Sequence, residues 1–542
     1  MSARWFHRLP SLVVDLGREW AVRSGDLRIR VREEGVDGGV PVVLVHGFPD
    51  TSDVWNGVVE RLGRRFRVVR YDVRGSGRSD AAAGVEGYRV ERLVEDLAAV
   101  VGEVGGPVHL VGHDWGSTQG WAAVAARPDL FLSFTSISGP DLGHVSDWVK
   151  RNRLRPVRVF GVLRRSWYIA CFQVPGAAEV VWRLPWVRRR LHAGLRELVN
   201  GLGLYRANVG RGQPPAAVSV RVHQVELTND PYVVRQHLEA AEPWAPHLTR
   251  SRLHAGHWAP RTHPEQVARH IEDAIDGRRR RRLVVITGAG SGIGRATALA
   301  FAQQGAEVVA LDVDEESARA TAEQVGGHAY RLDVADAAAT REVAERIKAR
   351  HGVPDVVMAN AGIGVAGSFL KTSEEDWRRV VDVNLWGVVH TLRAFAPQLV
   401  DRAEGGHLVV TASAAGYFPT AALSAYSTTK AAVLMLAQCL DAELREHGIR
   451  VSAICPGIVR TNITKTFTFA GTTGAEQDEQ RERATKAYRL RGFGPEKVAA
   501  EVLDAVNKGK TVVPVTVEAK AAHLGNRIAP GLVRAVGRLW RL

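Results

Sequence analysis

Cysteine is nearly absent from this chain. Among its 542 residues there are three, Cys171, Cys439 and Cys455, and no CxxC pair. A disulfide-built secreted domain and a cysteine-ligated zinc site are therefore excluded, and no metal site is assigned. No apolar run approaches the ~18 uncharged residues that a membrane-spanning helix needs. The N-terminal stretch MSARWFHRLPSLVVDLGREW lacks both the unbroken apolar core and the small-residue cleavage site of a secretory signal. No zinc-finger, RRM or helix-turn-helix signature is present, so nucleic acid is not an expected partner. A soluble cytoplasmic protein is the default expectation.

What is present suits large packed domains. The chain is 45% hydrophobic and 24% charged, which is enough to bury sizeable cores. Glycine, at 54 residues, is in surplus and implies many tight turns. The formal charge is +14, arginine outnumbers lysine, and a solvated basic surface is the preferred reading.

The sharpest discontinuity is Gly277 followed by five arginines, 278–282. HPEQVARHIEDAIDG before it predicts an amphipathic helix closed by glycine. LVVITGAG after it predicts a buried strand entering a glycine turn. The arginines repel one another and read as a linker. The expected organisation is one domain over 1–277, a linker over 278–282 and a second domain over 283–542. Both halves alternate β-rich apolar runs with helical patterns, which predicts α/β domains with parallel sheets covered on both faces.

In the first half, Pro107–Gly112 is an apolar run ending in His113-Asp114-Trp115-Gly116-Ser117. Gly112 and Gly116 flank Asp114 in the spacing of a nucleophile elbow, a tight strand-to-helix turn. An earlier strand ends in His46-Gly47-Phe48-Pro49, which places the Phe48 N–H with that of Trp115 as oxyanion donors. Asp230 and His257 complete the chain order nucleophile, acid, base. Asn229 is an alternative beside Asp230, and His254 lies three residues before His257. An aspartate nucleophile attacks sp³ carbon and makes an alkyl-enzyme ester, whereas serine would make an acyl-enzyme.

These residues resemble the α/β-hydrolase superfamily over roughly 25–275, and the GHDWG elbow is similar to those of epoxide hydrolases and haloalkane dehalogenases. The resemblance implies a helical cap over about 139–218. Trp167–Gly176 and Leu204-Tyr205-Arg206 resemble epoxide-hydrolase cap segments, which implies Tyr168 and Tyr205 as acids for the opening epoxide. Dehalogenation is the alternative.

In the second half, Leu283–Ile286 runs into Thr287-Gly288-Ala289-Gly290-Ser291-Gly292-Ile293-Gly294. A glycine loop between strand and helix fits a pyrophosphate site. Asp312 follows Gly292 by 20 residues at the next strand end, where an acid binds ribose hydroxyls and repels a 2′-phosphate. NAD is favoured over NADP. Tyr426 and Lys430 share a helix face at i, i+4, so the ammonium favours the phenolate. Ser413 lies 13 residues before Tyr426, and Asn384 lies further upstream.

This half resembles the short-chain dehydrogenase/reductase family over most of 283–515. The resemblance implies an Asn384–Ser413–Tyr426–Lys430 tetrad, an adenine contact at Asp333-Val334, a strand end at Asn360-Ala361-Gly362 and a nicotinamide clamp at Pro456, Gly457 and Thr461. It implies a homo-oligomer formed through this half. The basic tail, about 517–542, spaces Leu524, Ile528, Leu532 and Val536 by four. That pattern suits an interfacial helix, but a packing helix is preferred.

Taken together, the chain resembles actinobacterial fusions of an epoxide-hydrolase-type domain with a short-chain dehydrogenase. The expected activities are hydrolysis of a hydrophobic epoxide to a diol and NAD-dependent interconversion of a secondary alcohol and ketone. The alternatives are a dehalogenase beside an unrelated dehydrogenase, and a silent hydrolase half serving as a binding module.

Overall fold

The computed structural model describes residues 17–529 and 531 apart from 192, 278–280, 418, 462 and 464–466, with backbone alone at 163, 190 and 487–490. Arginines 278–280 of the expected linker, and 530 and 532–542 of the tail with Leu532 and Val536, lie outside the described residues. The chain divides into two compact units, Met1–Arg279 and Arg280–Leu542.

The first unit is built on eight strands: β1 (Arg18–Ser24), β2 (Leu27–Gly35), β3 (Pro41–Val45), β4 (Arg67–Tyr71), β5 (Val108–His113), β6 (Phe131–Ile137), β7 (Val222–Leu227) and β8 (Leu248–Leu253). Their order is β1-β2-β4-β3-β5-β6-β7-β8. β2 runs antiparallel to β1 and β4, and the remaining pairs are parallel. The central strands are apolar runs because helices cover both faces, and every residue of β5 is buried. The helix Val90–Val104 shows how this covering is encoded. Leu93, Leu97, Val100, Val101 and Val104 recur at helical spacing and are buried, and Gly105 ends the helix with φ 89°. Each such buried side chain stabilises the fold by roughly 1.5–3 kcal/mol. Between β6 and β7 the chain leaves the sheet for six helices, from Leu142–Arg151 to Leu195–Asn208, which form the cap.

The second unit adds β9 (Leu283–Thr287), β10 (Glu307–Asp312), β11 (His328–Arg331), β12 (Val356–Ala359), β13 (Val365–Ala366), β14 (Gly406–Thr411), β15 (Ile449–Cys455), β16 (Thr468–Phe469) and β17 (Val512–Pro514). Seven form one parallel sheet, β11-β10-β9-β12-β14-β15-β17, and β13 pairs with β16. Strand order reverses between β9 and β12. That switch point opens a crevice at the carboxyl ends of the strands, where such sheets bind ligands. Both units are thus α/β: a hydrolase-type mixed sheet with a helical cap, and a doubly wound parallel sheet. Among the described residues no helix is long and apolar enough to cross a membrane.

Candidate active sites

β5 delivers Asp114 at the first site. Its backbone, at φ 52° and ψ −122°, is sparsely populated for a non-glycine residue, and the helix Trp115–Ala126 starts at the next residue. A turn this sharp needs close backbone approaches. A Cβ at Gly112 would collide with the Gly116 carbonyl, and one at Gly116 with the Val45 carbonyl. Such strain costs about 1–3 kcal/mol and persists only when packing enforces it.

The Asp114 carboxylate faces two backbone donors. The Phe48 N–H reaches Oδ2 at 2.8 Å, and the Trp115 N–H also donates to this carboxylate. His46 holds the Phe48 loop, because its Nε2 accepts from the Val73 N–H at 2.9 Å. Burial is the main cause that raises the Asp114 pKa to about 6.

His257 Nδ1 lies 2.8 Å from Asp230 Oδ2, which places its proton there and turns Nε2 toward Asp114 Oδ1 at 3.8 Å. Asp230 Oδ1 accepts the Tyr232 and Val233 N–H groups at 2.7 and 3.0 Å, and Ser138 donates to Oδ2. Burial pushes Asp230 upward, but His257 and these bonds hold it below the ordinary carboxylate range. Burial also opposes the His257 cation, yet Asp230, Asp114 and Asp50 together raise its pKa.

In the cap, Tyr168 and Tyr205 hydrogen-bond to each other, with rings 6.2 Å apart. The Tyr205 ring stands edge-on to Trp115 at 5.0 Å and to Phe48 at 5.4 Å, beside both oxyanion donors. Burial pushes both phenols up, so they are held protonated as donors. Gln173 Nε2 donates to the Tyr205 carbonyl at 3.1 Å and joins the two cap segments.

Several participants were not singled out from sequence. Asp50 is buried, acts electrostatically on His257, and accepts from Trp258 Nε1 at 3.1 Å and Arg261 at 2.7 Å. Its place directly after HGFP was an available signal. Ser138 and Tyr232 offered none, because neither belongs to a spaced motif.

At the second site, Ser291 precedes the helix Gly292–Gln303, whose first N–H groups form an anion-binding end. A Cβ at Gly294 would collide with the Gly288 carbonyl, so this helix packs close only with glycine there. Thr461 lies against the loop, 3.2 Å from where a Cβ on Gly292 would stand. Ile293 packs on the core behind the loop. Asp312 closes the loop from β10: Oδ2 accepts the Gly290 N–H at 2.8 Å and Oδ1 the Asp314 N–H at 3.1 Å. Asp333 accepts the Ala335 N–H at 3.0 Å, and Val334 is buried.

Asn360 ties three strands together. Its N–H meets Thr287 Oγ1 at 2.9 Å, its Nδ2 the Thr287 carbonyl at 3.0 Å, and its Oδ1 the Thr411 hydroxyl at 3.0 Å. The Ala361 N–H shares Thr287 Oγ1 at 3.1 Å. Gly457 donates to Thr516 Oγ1 at 3.1 Å, and the Pro456 carbonyl accepts the Ala414 N–H at 2.8 Å.

The helix Ser424–Leu444 presents Tyr426 and Lys430 together, the ammonium 5.7 Å from the phenol ring centre. Lys430 Nζ donates to the Thr411 carbonyl at 2.8 Å. Burial lowers its pKa to about 8, so it remains a cation at neutral pH. Asn384 sits in a π-helical turn, Asp382–Trp386, a feature frequent at functional sites. Its Oδ1 accepts the Ile363 N–H at 2.8 Å and its Nδ2 meets the Ile363 carbonyl at 3.0 Å. A Cβ on Gly362 would stand 3.1 Å from Asn384 Oδ1 and 3.5 Å from Lys430 Nζ, so these three converge. Ser413 lies two residues past the end of β14, its Oγ accepting the Ala415 N–H at 3.2 Å. The glycine cradle, the open helix end and the buried ammonium fit a nicotinamide dinucleotide.

The short chain dehydrogenase family model matches residues 282–469, and the alpha/beta hydrolase fold model matches 40–193. Mycobacterium tuberculosis "Probable oxidoreductase EphD" is 41% identical, with 95% of this chain and 97% of that protein covered. The chain belongs to the EphD family of hydrolase–dehydrogenase fusions. Two solved structures each resemble one half of this EphD-family chain. A Burkholderia phymatum short chain dehydrogenase/reductase in complex with NAD is 29% identical, with TM-score 0.43, covering 48% of this chain and 95% of that one. A Bacillus megaterium epoxide hydrolase in complex with an inhibitor is 20% identical, with TM-score 0.41, covering 47% and 100%.

Proposed function

We propose that the first half hydrolyses a hydrophobic epoxide through an alkyl-enzyme ester. The observation that carries this reading is an aspartate on a strained elbow facing two cap tyrosines, Tyr205 buried and Tyr168 half-buried, whose hydroxyls burial keeps protonated. Asp114 Oδ1, the oxygen turned toward His257, attacks an epoxide carbon. The C–O bond breaks and a tyrosine hydroxyl protonates the alkoxide. His257 Nε2 then takes a proton from water, and the resulting hydroxide adds to the ester carbonyl. Phe48 and Trp115 hold the oxyanion at Oδ2; on collapse the bond to the alkoxide breaks, His257 returns its proton to that oxygen to free the diol, and the acid proton left on Asp114 passes to the tyrosinate, which regenerates both residues. Asp230 keeps His257 oriented and stabilises its cation. Single-turnover reaction in ¹⁸O-water followed by mass spectrometry tests this: label must enter the peptide containing Asp114. Halide release from haloalkanes without epoxide turnover would instead favour a dehalogenase.

The second half interconverts a secondary alcohol and a ketone. Bound NAD supplies the hydride acceptor. Tyr426 takes the hydroxyl proton, Lys430 lowers the cost of its phenolate, and Ser413 holds the substrate oxygen. Asp312 at the end of β10 supports NAD over NADP, because a 2′-phosphate there would meet a carboxylate. Cofactor-dependent turnover of an alcohol panel with each dinucleotide tests this reading. A vicinal diol is both a product of the first chemistry and an alcohol for the second, so the two steps form a sequence on one substrate. Purified enzyme that opens epoxides yet never oxidises their diols would refute the sequence. The exposed Trp386 and Met435 on the dehydrogenase helices support a homo-oligomer formed through this half.

A further inference from the structure

Away from the cofactor crevice, at the amino ends of the parallel strands, three ligand-type side chains converge. Glu307 opens β10, His328 opens β11, and His351 ends the helix Ala337–His351. Their ligand atoms all lie within 4.8 Å of one another. Glu307 Oε1 is 3.2 Å from His328 Nε2 and 3.4 Å from His351 Nδ1. Ligands about 2.0–2.1 Å from a tetrahedral zinc ion stand about 3.3 Å apart, which matches both separations.

Two further observations point the same way. The other nitrogen of His351, Nε2, lies 2.9 Å from the Tyr330 hydroxyl. A hydrogen bond at the second ring nitrogen is what fixes a metal-binding histidine in its ligating tautomer. His351 also ends its helix, where the backbone dipole favours a cation. Lys348 and Arg350 in the same turn oppose the charge, so affinity will be moderate.

We propose that Glu307, His328 and His351 form a site for a divalent ion of zinc type, with solvent completing the coordination. Such a site would clip the sheet edge to the helix that packs beside it and would not touch the chemistry. The test uses the full-length, untagged, chelator-treated protein. Titrated with cobalt chloride, wild type should develop visible ligand-field absorption at one equivalent, and zinc should displace it. Calorimetry with zinc chloride should show binding at least tenfold tighter in wild type than in His328→Gln and Glu307→Gln. Zinc should raise the thermal midpoint of wild type only. Absence of binding, or equal binding by both variants, would overturn the proposal.

A second inference rests on the cap surface. Eleven of the twenty-two large apolar side chains exposed among the described residues fall within 154–199, including Leu154, Val157, Phe160, Trp167, Val180 and Trp186. Between positions 150 and 196 the sequence carries Lys150 and eleven arginines against one carboxylate, Glu179, a net +11 within a chain of +14. Glu179 is already paired with Arg206 at 2.8 Å. Arg151 and Arg158 pair with Asp147 and Glu239 at 2.6 and 3.4 Å, which still leaves a large arginine excess. Exposed apolar side chains interleaved with such an excess are the composition of an interfacial surface for anionic lipid.

The geometry points to the cap resting on an anionic membrane. Full-length protein should co-sediment with phosphatidylglycerol-containing vesicles and not with pure phosphatidylcholine. Binding should weaken with salt and fall at least tenfold in Arg153→Glu/Arg155→Glu and in Leu154→Ser/Phe160→Ser. Failure to bind, or equal binding by both double variants, would overturn it. So would a dimer that Leu154→Ser/Phe160→Ser dissociates, because a second copy would then cover this face.

Discussion

Asn229 Nδ2 lies 3.1 Å from His254 Nε2, so the two residues most easily mistaken for the acid and base are partnered with each other. Asp230, one residue after Asn229, and His257, three after His254, meet instead in the interior; both are buried, whereas Asn229 is exposed and His254 half-buried. Asp230→Asn should slow ester hydrolysis by about 10³–10⁴-fold, because the histidine loses its orienting charge. Asn229→Ala and His254→Ala should stay within about tenfold of wild type. Single-turnover decay of the alkyl-enzyme checks all three, and equal losses would reject the assignment.

Alkylation should depend on pH through Asp114. A carboxylate with its pKa raised to about 6 is the nucleophile above that pH and is protonated below it. Ester formation, read by quenched-flow mass spectrometry, should therefore be flat above about pH 7 and fall tenfold per unit well below 6. A flat profile down to pH 4 would contradict the burial of this group.

Removing one cap hydroxyl should slow epoxide opening by about 10–10²-fold, because the other tyrosine still donates. Tyr168→Phe/Tyr205→Phe should abolish ester formation. Fluorescence-monitored substrate binding separates this loss from a loss of affinity. Retention of near-normal opening in the double variant would remove the tyrosines from the chemistry.

Asp312→Ala should narrow the preference for NAD over NADP by at least tenfold in kcat/KM. It should also raise KM for NAD, because the Gly290 N–H loses its acceptor. An unchanged cofactor ratio would show that this carboxylate does not read the ribose.

Arg74 and Asp96 form a bidentate pair at 2.7 Å, with side chains 5% and 1% exposed. Asp96→Ala would leave a buried guanidinium without its counter-charge, at a cost of about 3–5 kcal/mol. Chemical denaturation of the full chain should show its first-half transition shifted and its second-half transition unchanged.

Much of this protein is written in local pattern. Apolar runs of four to seven residues between helical stretches specify the parallel strands at the centre of both sheets, since only strands covered on both faces read that way; the antiparallel edge of the first sheet, β1 and β2, is not legible by that rule. The elbow glycines around Asp114 and the loop glycines around Ser291 are legible for the same kind of reason, because close backbone approach admits no other side chain. Tyr426 and Lys430 declare themselves by helical spacing alone.

Pairings across the fold are a different matter. No sequence period links Asp230 to His257, Ser138 to Asp230 or Asp50 to Arg261, because each depends on which strand ends the sheet order brings together. The same holds for Glu307, His328 and His351, which reach one point only because β10 and β11 are neighbours and the helix after them returns to the same edge. The sequence by itself determined the two α/β units, the elbow that carries Asp114 and the glycine loop around Ser291, through short-range sterics and periodicity. Only the tertiary structure decided which carboxylate meets His257 and how Tyr168 meets Tyr205, because burial and long-range contact set those relationships.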